Sequence, residues 1–411
     1  MATMDAALAE VRDARAGPRP LALYVHIPFC ASKCHFCDWV VDIPVRQLRQ
    51  QAAERKPYIE ALRRQIEHYG PKLMEAGYVP QLLYWGGGTP GRLVPEEMRA
   101  IHSALASSMD LSGLIEWTIE TTPNDVTAEK LQTLKEIGVT RISVGVQSFD
   151  PHQLRTAGRA HTPEVAHKAL GMLREHGFDN FNIDVIVGFP GEHLERTLAT
   201  IETTISFDPK HISSYPFRAT ANTVMTMQVQ RKRVERPTLG GMIEADETSR
   251  AVLLGADYHE YSHGYWVKDS QYEDRDANYT YGMTGERMGF GSGADSVMCG
   301  RFLRNNKTNY AGFIDDPLRF DQVQPFSLAN PGMFVNHIGG ALMTRTGLNF
   351  ERLRRLTGVS FDDLRGTAQI RAWLDYLREH GAEFVETDTD LQIAPANRHR
   401  VYIAQLLGIV G

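Results

Sequence analysis

The sequence predicts an α/β fold: a partial (β/α)6 barrel of the TIM type, followed by a smaller α+β domain. Three observations carry this. Short apolar strands alternate with amphipathic helical stretches from residue 21 onward, each strand runs into polar or glycine-rich residues, and the repeating pattern is lost after about residue 225. The expected organisation is a tail over 1–20, a barrel over 21–235 and a covering domain over 236–411.

The tail mixes Ala, Asp, Glu, Arg and Pro without an apolar run, so it reads as a fraying end and not as a signal peptide. The expected strands are Leu21 to Ile27, Gln81 to Trp85, Glu116 to Thr121, Arg141 to Val146, Asn182 to Val187 and His211 to Tyr215. Helices are expected near 57–77, 95–108, 127–137, 162–176 and 192–206. Thr127 is placed to cap one of them, and Gly138 and Gly177 stand where helices stop.

In such barrels the site lies at the C-terminal ends of the strands. Here those ends carry a cysteine cluster, then Gly86-Gly-Gly-Thr-Pro90, Glu120, Gln147 and Asp184. Taken singly these are turn or surface residues; their shared rim makes them candidates for one site.

After the first strand, Cys30, Cys34 and Cys37 form a Cys-x3-Cys-x2-Cys triplet. A cubane 4Fe-4S cluster takes four ligands, so three thiolates leave one iron open to another molecule. The competing reading is structural zinc, which needs a fourth ligand such as His26, His35 or Asp38 and is usually built from paired knuckles.

Composition narrows the function classes. The 411 residues carry 44 Lys plus Arg against 50 Asp plus Glu, a net charge of −6, which gives no electrostatic case for nucleic acid. Four cysteines, three of them clustered, make no disulfide framework and fit a reducing, cytoplasmic setting. No run of apolar residues reaches membrane-spanning length.

Two motifs are read as decoys. His259-Glu-Tyr-Ser-His263 matches a zinc-hydrolase signature, but its aromatic setting after a glycine turn reads as a strand. There the two histidines would stand about 13 Å apart. Gly289-Phe-Gly-Ser-Gly-Ala294 mimics a dinucleotide fingerprint without the βαβ unit that it requires. The basic run Arg231 to Arg236 marks a boundary loop, and 350–395 reads as short helices and a hairpin in winged-helix order. Glu383, Glu386, Asp388 and Asp390 in that hairpin argue against DNA.

Tyr24-x-His-Ile-Pro-Phe-Cys, Gly-Gly-Gly-Thr-Pro, Ser143-Val-Gly-Val-Gln-Ser-Phe149, Gly158-Arg-x-His161, Asn182-Ile-Asp184 and Gly289-Phe-Gly-x-Gly-Ala294 occur in that order. Over about residues 21–310 the chain thereby resembles the HemN-like radical S-adenosylmethionine (SAM) proteins. The resemblance implies a 4Fe-4S cluster on Cys30, Cys34 and Cys37 and two SAM molecules. It places Tyr24, Phe36, Gly87, Gly88, Thr89, Glu120, Gln147, Arg159 and Asp184 around them, with Arg218 and Asp295 near the adenosyl groups. It also implies an electron donor such as flavodoxin or ferredoxin.

Within that family, coproporphyrinogen dehydrogenases carry a further cysteine where this chain has Trp39. Heme chaperones carry His-Asn-x-x-Tyr-Trp where it has Ala277-Asn-Tyr-Thr-Tyr-Gly282. The run Cys34-His-Phe-Cys-Asp-Trp-Val40 is similar to the class C methyltransferases of thiopeptide antibiotic biosynthesis. The expectation that follows is methylation of an sp2 carbon in an azole-containing peptide or small molecule, with His35, Asp38 or Glu120 taking the proton. The aromatics Tyr261, Tyr265 and Trp266 would face a flat substrate. A cyclopropanase, a coproporphyrinogen dehydrogenase and a non-enzymatic heme chaperone are the alternatives.

Overall fold

The computed structural model describes residues 3–14, 17–38, 48–191, 193–218, 220, 223–305 and 310–408. Trp39, on which part of the subfamily expectation rests, lies outside them. Six parallel strands form the centre: β1 (Arg19–Ile27), β2 (Tyr78–Gly87), β3 (Glu116–Thr121), β4 (Arg141–Gln147), β5 (Phe181–Val187) and β6 (His211–Pro216). Each is followed by a helix that returns the chain, as parallel pairing requires. Thr127 accepts a hydrogen bond from the Lys130 amide, and Gly138 closes its helix at φ 95°. The helix Pro151–Thr156, capped by Asp150, is an additional turn that the apolar periodicity does not reveal.

The strands alternate with period two. Leu23, Val25, Trp85, Ile119, Val144, Val185 and Ile212 point outward into the core beneath the helices. The opposite face carries Tyr24, Tyr84, Glu120, Ser143, Asn182, Asp184 and Ser213, held in register by the pairs Tyr24–Tyr84, Glu120–Ser143, Ser143–Asn182 and Asp184–Ser213. Parallel strands covered on both faces are ordinarily apolar on both. This inner face is polar, so it lines a cavity where a packed interior would otherwise be.

The chain beyond 235 extends the same sheet at both edges. β7 (His259–Ser262) and β8 (Tyr265–Val267) join through β6; β9 (Glu286–Phe290) runs parallel to β1 and is followed outward by β10 (Asp295–Met298), β11 (Arg301–Asn305) and β12 (Phe320–Pro325). His259–Ser262 of the His259–His263 motif therefore form a strand, as its setting predicts, and His263 falls in the turn that follows. A second core gathers Phe334, Ile338, Leu342, Leu353, Phe361 and Leu374 around the small sheet of β13 (Leu348–Asn349), β14 (Phe384–Glu386) and β15 (Asp390–Ile393).

The tail expectation is corrected. Residues Met4–Asp13 form a helix capped by Thr3, with Met4, Ala7 and Leu8 buried, Met4 and Leu8 within the main core, and Asp5 paired with Lys72. An apolar stripe at i, i+3 and i+4 is enough to dock a short helix, although it contains no continuous apolar run.

Candidate functional site

A cavity of about 710 Å³ opens at the C-terminal ends of β1–β6, within the range of roughly 300–1,000 Å³ usual for ligand sites. All three cysteines of the triplet line it, and none of the four cysteines forms a disulfide. The loop turns back on itself through the Cys37 amide on the Cys34 carbonyl, 3.2 Å. Burial pushes the Cys30 thiol up to about 12, so the sulfur becomes a thiolate only beside a compensating positive charge such as bound iron. Among the described residues no three His, Cys, Asp or Glu side chains converge as a single metal ion needs. A cubane's thiolates each bind a different iron, so the open triplet fits a cluster better than zinc.

Arg159 reaches the same place from the loop after β4. Its Nη1 donates to Cys34 Sγ at 3.1 Å and its Nη2 to the Gly145 carbonyl, while Nε is buried without a partner. Gly158 before it has φ 70°, and a Cβ there would stand 2.7 Å from the His35 ring. Gln147, at the end of β4, takes φ 73° beside a register shift in the β4–β5 pairing. Such a backbone is uncommon for a side-chain-bearing residue and concentrates at functional sites.

Glu120 accepts from Tyr84 Oη at 2.8 Å and from the Gly87 amide at 3.2 Å. Gly87 has φ 106°, and a Cβ there would meet the His26 ring at 2.4 Å, so the loop requires glycine at this position. Burial pushes the Glu120 carboxyl up to about 7; those hydrogen bonds offset part of the rise and neighbouring Asp184 adds to it. The folded protein thus holds a proton that the unfolded chain, with an ordinary value of 4.5, releases. The resulting stabilisation is complete below 4.5 and is lost as pH rises through 7. Glu120→Gln is therefore expected to raise the melting temperature relative to wild type more at pH 8 than at pH 5. Parallel pH profiles in thermal denaturation would show that the carboxyl titrates normally.

Asp184 ends a chain of buried hydrogen bonds. The Asp274 amide donates to Tyr261 Oη (2.9 Å), Tyr261 to His211 Nε2 (2.7 Å), and His211 Nδ1 to Asn182 Oδ1 (2.7 Å). Asn182 Nδ2 then donates to Asp184 Oδ1 (2.7 Å), and Ser143 Oγ to Asp184 Oδ2 (3.0 Å). This network assigns His211 the Nδ1–H tautomer and leaves Asp184 facing the cavity as an acceptor.

Every residue that the resemblance placed around a cofactor lines this one cavity, including Tyr24, Phe36, Gly88, Thr89, Arg218 and Asp295. Asp38 lines it too. His35 does not: its Nδ1 donates to the Thr156 carbonyl at 2.7 Å and its ring lies beside Gly158, off the cavity lining, so its Nε2 is not presented to a substrate there. Of the three aromatics, Tyr265 lines the cavity; Tyr261 sits behind it in the hydrogen-bond chain, and Trp266 is buried under Arg250.

The far wall comes from residues that sequence reasoning did not single out. Arg287 lies 4.4 Å over the Tyr24 ring and donates to Asp276 (3.3 Å) and Thr280 (2.8 Å). Burial pushes Asp276 up to about 6, an effect that Arg287 partly offsets. Tyr281, Phe302, His337 and Tyr402 complete this end. In the next position Ile403 packs with Phe189, Phe217 and Met242, and Phe36 lies against that cluster, so the helix Pro395–Gly408 closes over the cysteine loop. A periodic polar face on the strands was the available signal for the inner residues; the distal ones share no period.

Residues 24–204 match the radical SAM superfamily model. The heme chaperone HemW of Bacillus subtilis is 31% identical over 281 residues, covering 67% of this chain and 71% of that protein. HemW of Haemophilus influenzae is 26% identical over 356 residues, covering 85% and 87%. The solved coproporphyrinogen III oxidase (HemN) of Escherichia coli superposes with a TM-score of 0.76 at 21% identity, covering 99% of this chain and 93% of that one, which establishes the shared fold. These relatives overturn the class C methyltransferase expectation and, with it, thiopeptide biosynthesis and the azole substrate. A seven-residue run around the last two cysteines suggested that reading, whereas the similarity to heme chaperones extends over 281 residues and more. No helix among the described residues is long and apolar enough to cross a membrane. With the partial barrel, the three-cysteine loop and these relatives together, the chain belongs to the HemN-like family of radical SAM proteins, a family that uses a 4Fe-4S cluster and SAM.

Proposed function

We propose that this protein is a heme chaperone that holds a 4Fe-4S cluster and SAM at one end of its cavity and heme at the other. The observation that carries the reading is the cavity itself. It runs from the three cysteines to a wall of Tyr265, Tyr281, Phe302 and Tyr402, with the cations Arg218 and Arg287 on its lining, in a chain similar to heme chaperones over two thirds of its length or more. Heme is flat and apolar in its ring and carries two carboxylates. Aromatic walls with a few placed cations suit that chemistry.

Cys30, Cys34 and Cys37 would hold the cluster, with Phe36 beside it. Gly87, Gly88 and Thr89 would meet the polar end of SAM, and the Arg159 fork would take its carboxylate. Glu120 and Asp184 are acceptors suited to ribose hydroxyls, with Tyr24 and Gln147 flanking them. Arg218 and Asp295, which the resemblance placed near the adenosyl groups, both line the cavity, and this reading uses one SAM and gives the remaining space to heme. When reduced by a small carrier such as flavodoxin or ferredoxin, the cluster supplies the family's electron. An oxygen-sensitive centre of this kind suits the cytoplasm.

Anaerobic titration of hemin into the cluster-loaded full chain tests the reading. A Soret band that saturates at one equivalent is expected, with cluster absorbance intact. A featureless, unsaturable rise would overturn it.

A further inference from the structure

The segment Ala277–Gly282 lacks the histidine that the heme chaperones carry there, yet it lies on the helix Arg275–Tyr281, and Ala277, Thr280 and Tyr281 line the cavity. A heme held against this wall needs an iron ligand from elsewhere. Among the described residues two histidines line the cavity, His161 and His337. His161 is beside Arg159, at the end where the cysteines, SAM and that guanidinium meet.

His337 stands at the other end, on the helix Gly332–Leu342. That helix docks onto the Ala277 helix at Gly340, where an added Cβ would meet the Tyr281 ring at 2.8 Å. His337 is one turn before Gly340, so both fall on the same face of their helix. The absence of a side chain at Gly340 lets the two helices approach, and that approach brings an imidazole to the wall where position 277 has none.

The surroundings of the ring favour a neutral ligand. Phe302 and Phe326 meet it edge-on, with centroids 6.3 and 5.3 Å away and interplanar angles of 83° and 84°. Nδ1 is enclosed against its own helix with no hydrogen-bond partner of ordinary geometry. Burial lowers the pKa of the imidazole, which keeps a lone pair available for a metal. Wedged between aromatic rings, the side chain is also limited in its rotamers, as a preorganised ligand should be.

We infer that His337 is the axial ligand of heme bound at the distal end of the cavity, standing in for the histidine absent at position 277. This rests on the heme-chaperone reading above, and one experiment separates the two. Hemin is titrated into the full wild-type chain, His337→Gly, His337→Gly with added imidazole, and His161→Ala, following Soret position and affinity. Wild type and His161→Ala are expected to give the same histidine-ligated spectrum. His337→Gly should lose that spectrum and bind at least about tenfold more weakly, and imidazole should restore the band, because free imidazole replaces a ligand but not a packing element. If wild type shows no saturable Soret band, the heme reading itself fails. If wild type binds and His337→Gly keeps its spectrum and affinity, His337 is not the ligand. A loss in His337→Gly that imidazole does not repair also overturns the assignment, as the mark of a purely structural role.

Discussion

Replacing Cys30, Cys34 and Cys37 together with alanine is expected to take anaerobically reconstituted protein from about four bound irons to none. The three side chains line one cavity from one short loop, and Cys299, the remaining cysteine, lies just after β10 beside the start of β2, at the opposite end of the barrel, 3.4 Å from Tyr78 Oη. No substitute thiolate is in reach. The fold should survive, because all three residues are partly exposed on a loop outside the barrel core. Iron analysis and the EPR signal of the reduced protein, recorded with and without SAM, provide the measurement. Full iron content and a SAM-dependent signal in the triple variant would mean that the cluster is bound elsewhere.

The largest effect on stability is expected at Arg141, on the inner face of β4. Its Nη1 lies 2.9 Å from Asp274 Oδ2, and both side chains are almost fully buried, at 1% and 7% exposure. Glu116 is close by, its carboxyl pushed up to about 7 by burial and by Asp274. Arg141→Met would leave two acids buried without their cation, and losing one partner of a buried pair typically costs about 3–5 kcal/mol. Urea denaturation should show that loss. The double variant Arg141→Met/Asp274→Asn should recover much of it. Asparagine removes the orphaned charge yet can still cap the helix Arg275–Tyr281, as Asp274 does by accepting from the Ala277 amide at 2.9 Å. A single variant as stable as wild type would show that Arg141 neutralises nothing that matters.

Much of the barrel was legible because its signals are local. Glu116–Thr121 is a strand over the residues expected, and the other five barrel strands differ from expectation by a few residues at their ends. Strand alternation and helix caps are set by neighbours a few positions apart, so they can be read along the chain. The helix Met4–Asp13 was missed because its apolar stripe gains stability only by docking on the core. The methyltransferase reading failed for a related reason. It weighed a short run beside Cys37 above the rest of the chain, and Trp39 in that run lies outside the described residues.

By itself the sequence determined the strand–helix repeat, the three-thiolate loop and the strand-end residues from Gly86 to Asp184, because each depends on spacing within a single β/α unit. Only the tertiary structure decided which residues face them. Arg287 reaches Tyr24 because β9 pairs with β1, more than 250 positions away in the chain, and His337 reaches the cavity because Gly340 lets two helices touch. His35 follows the same rule from the other side: its sequence position puts it among the cysteines, and a hydrogen bond to Thr156 turns it away. Contacts of that range are chosen by packing and burial across the whole fold, and no local periodicity records them.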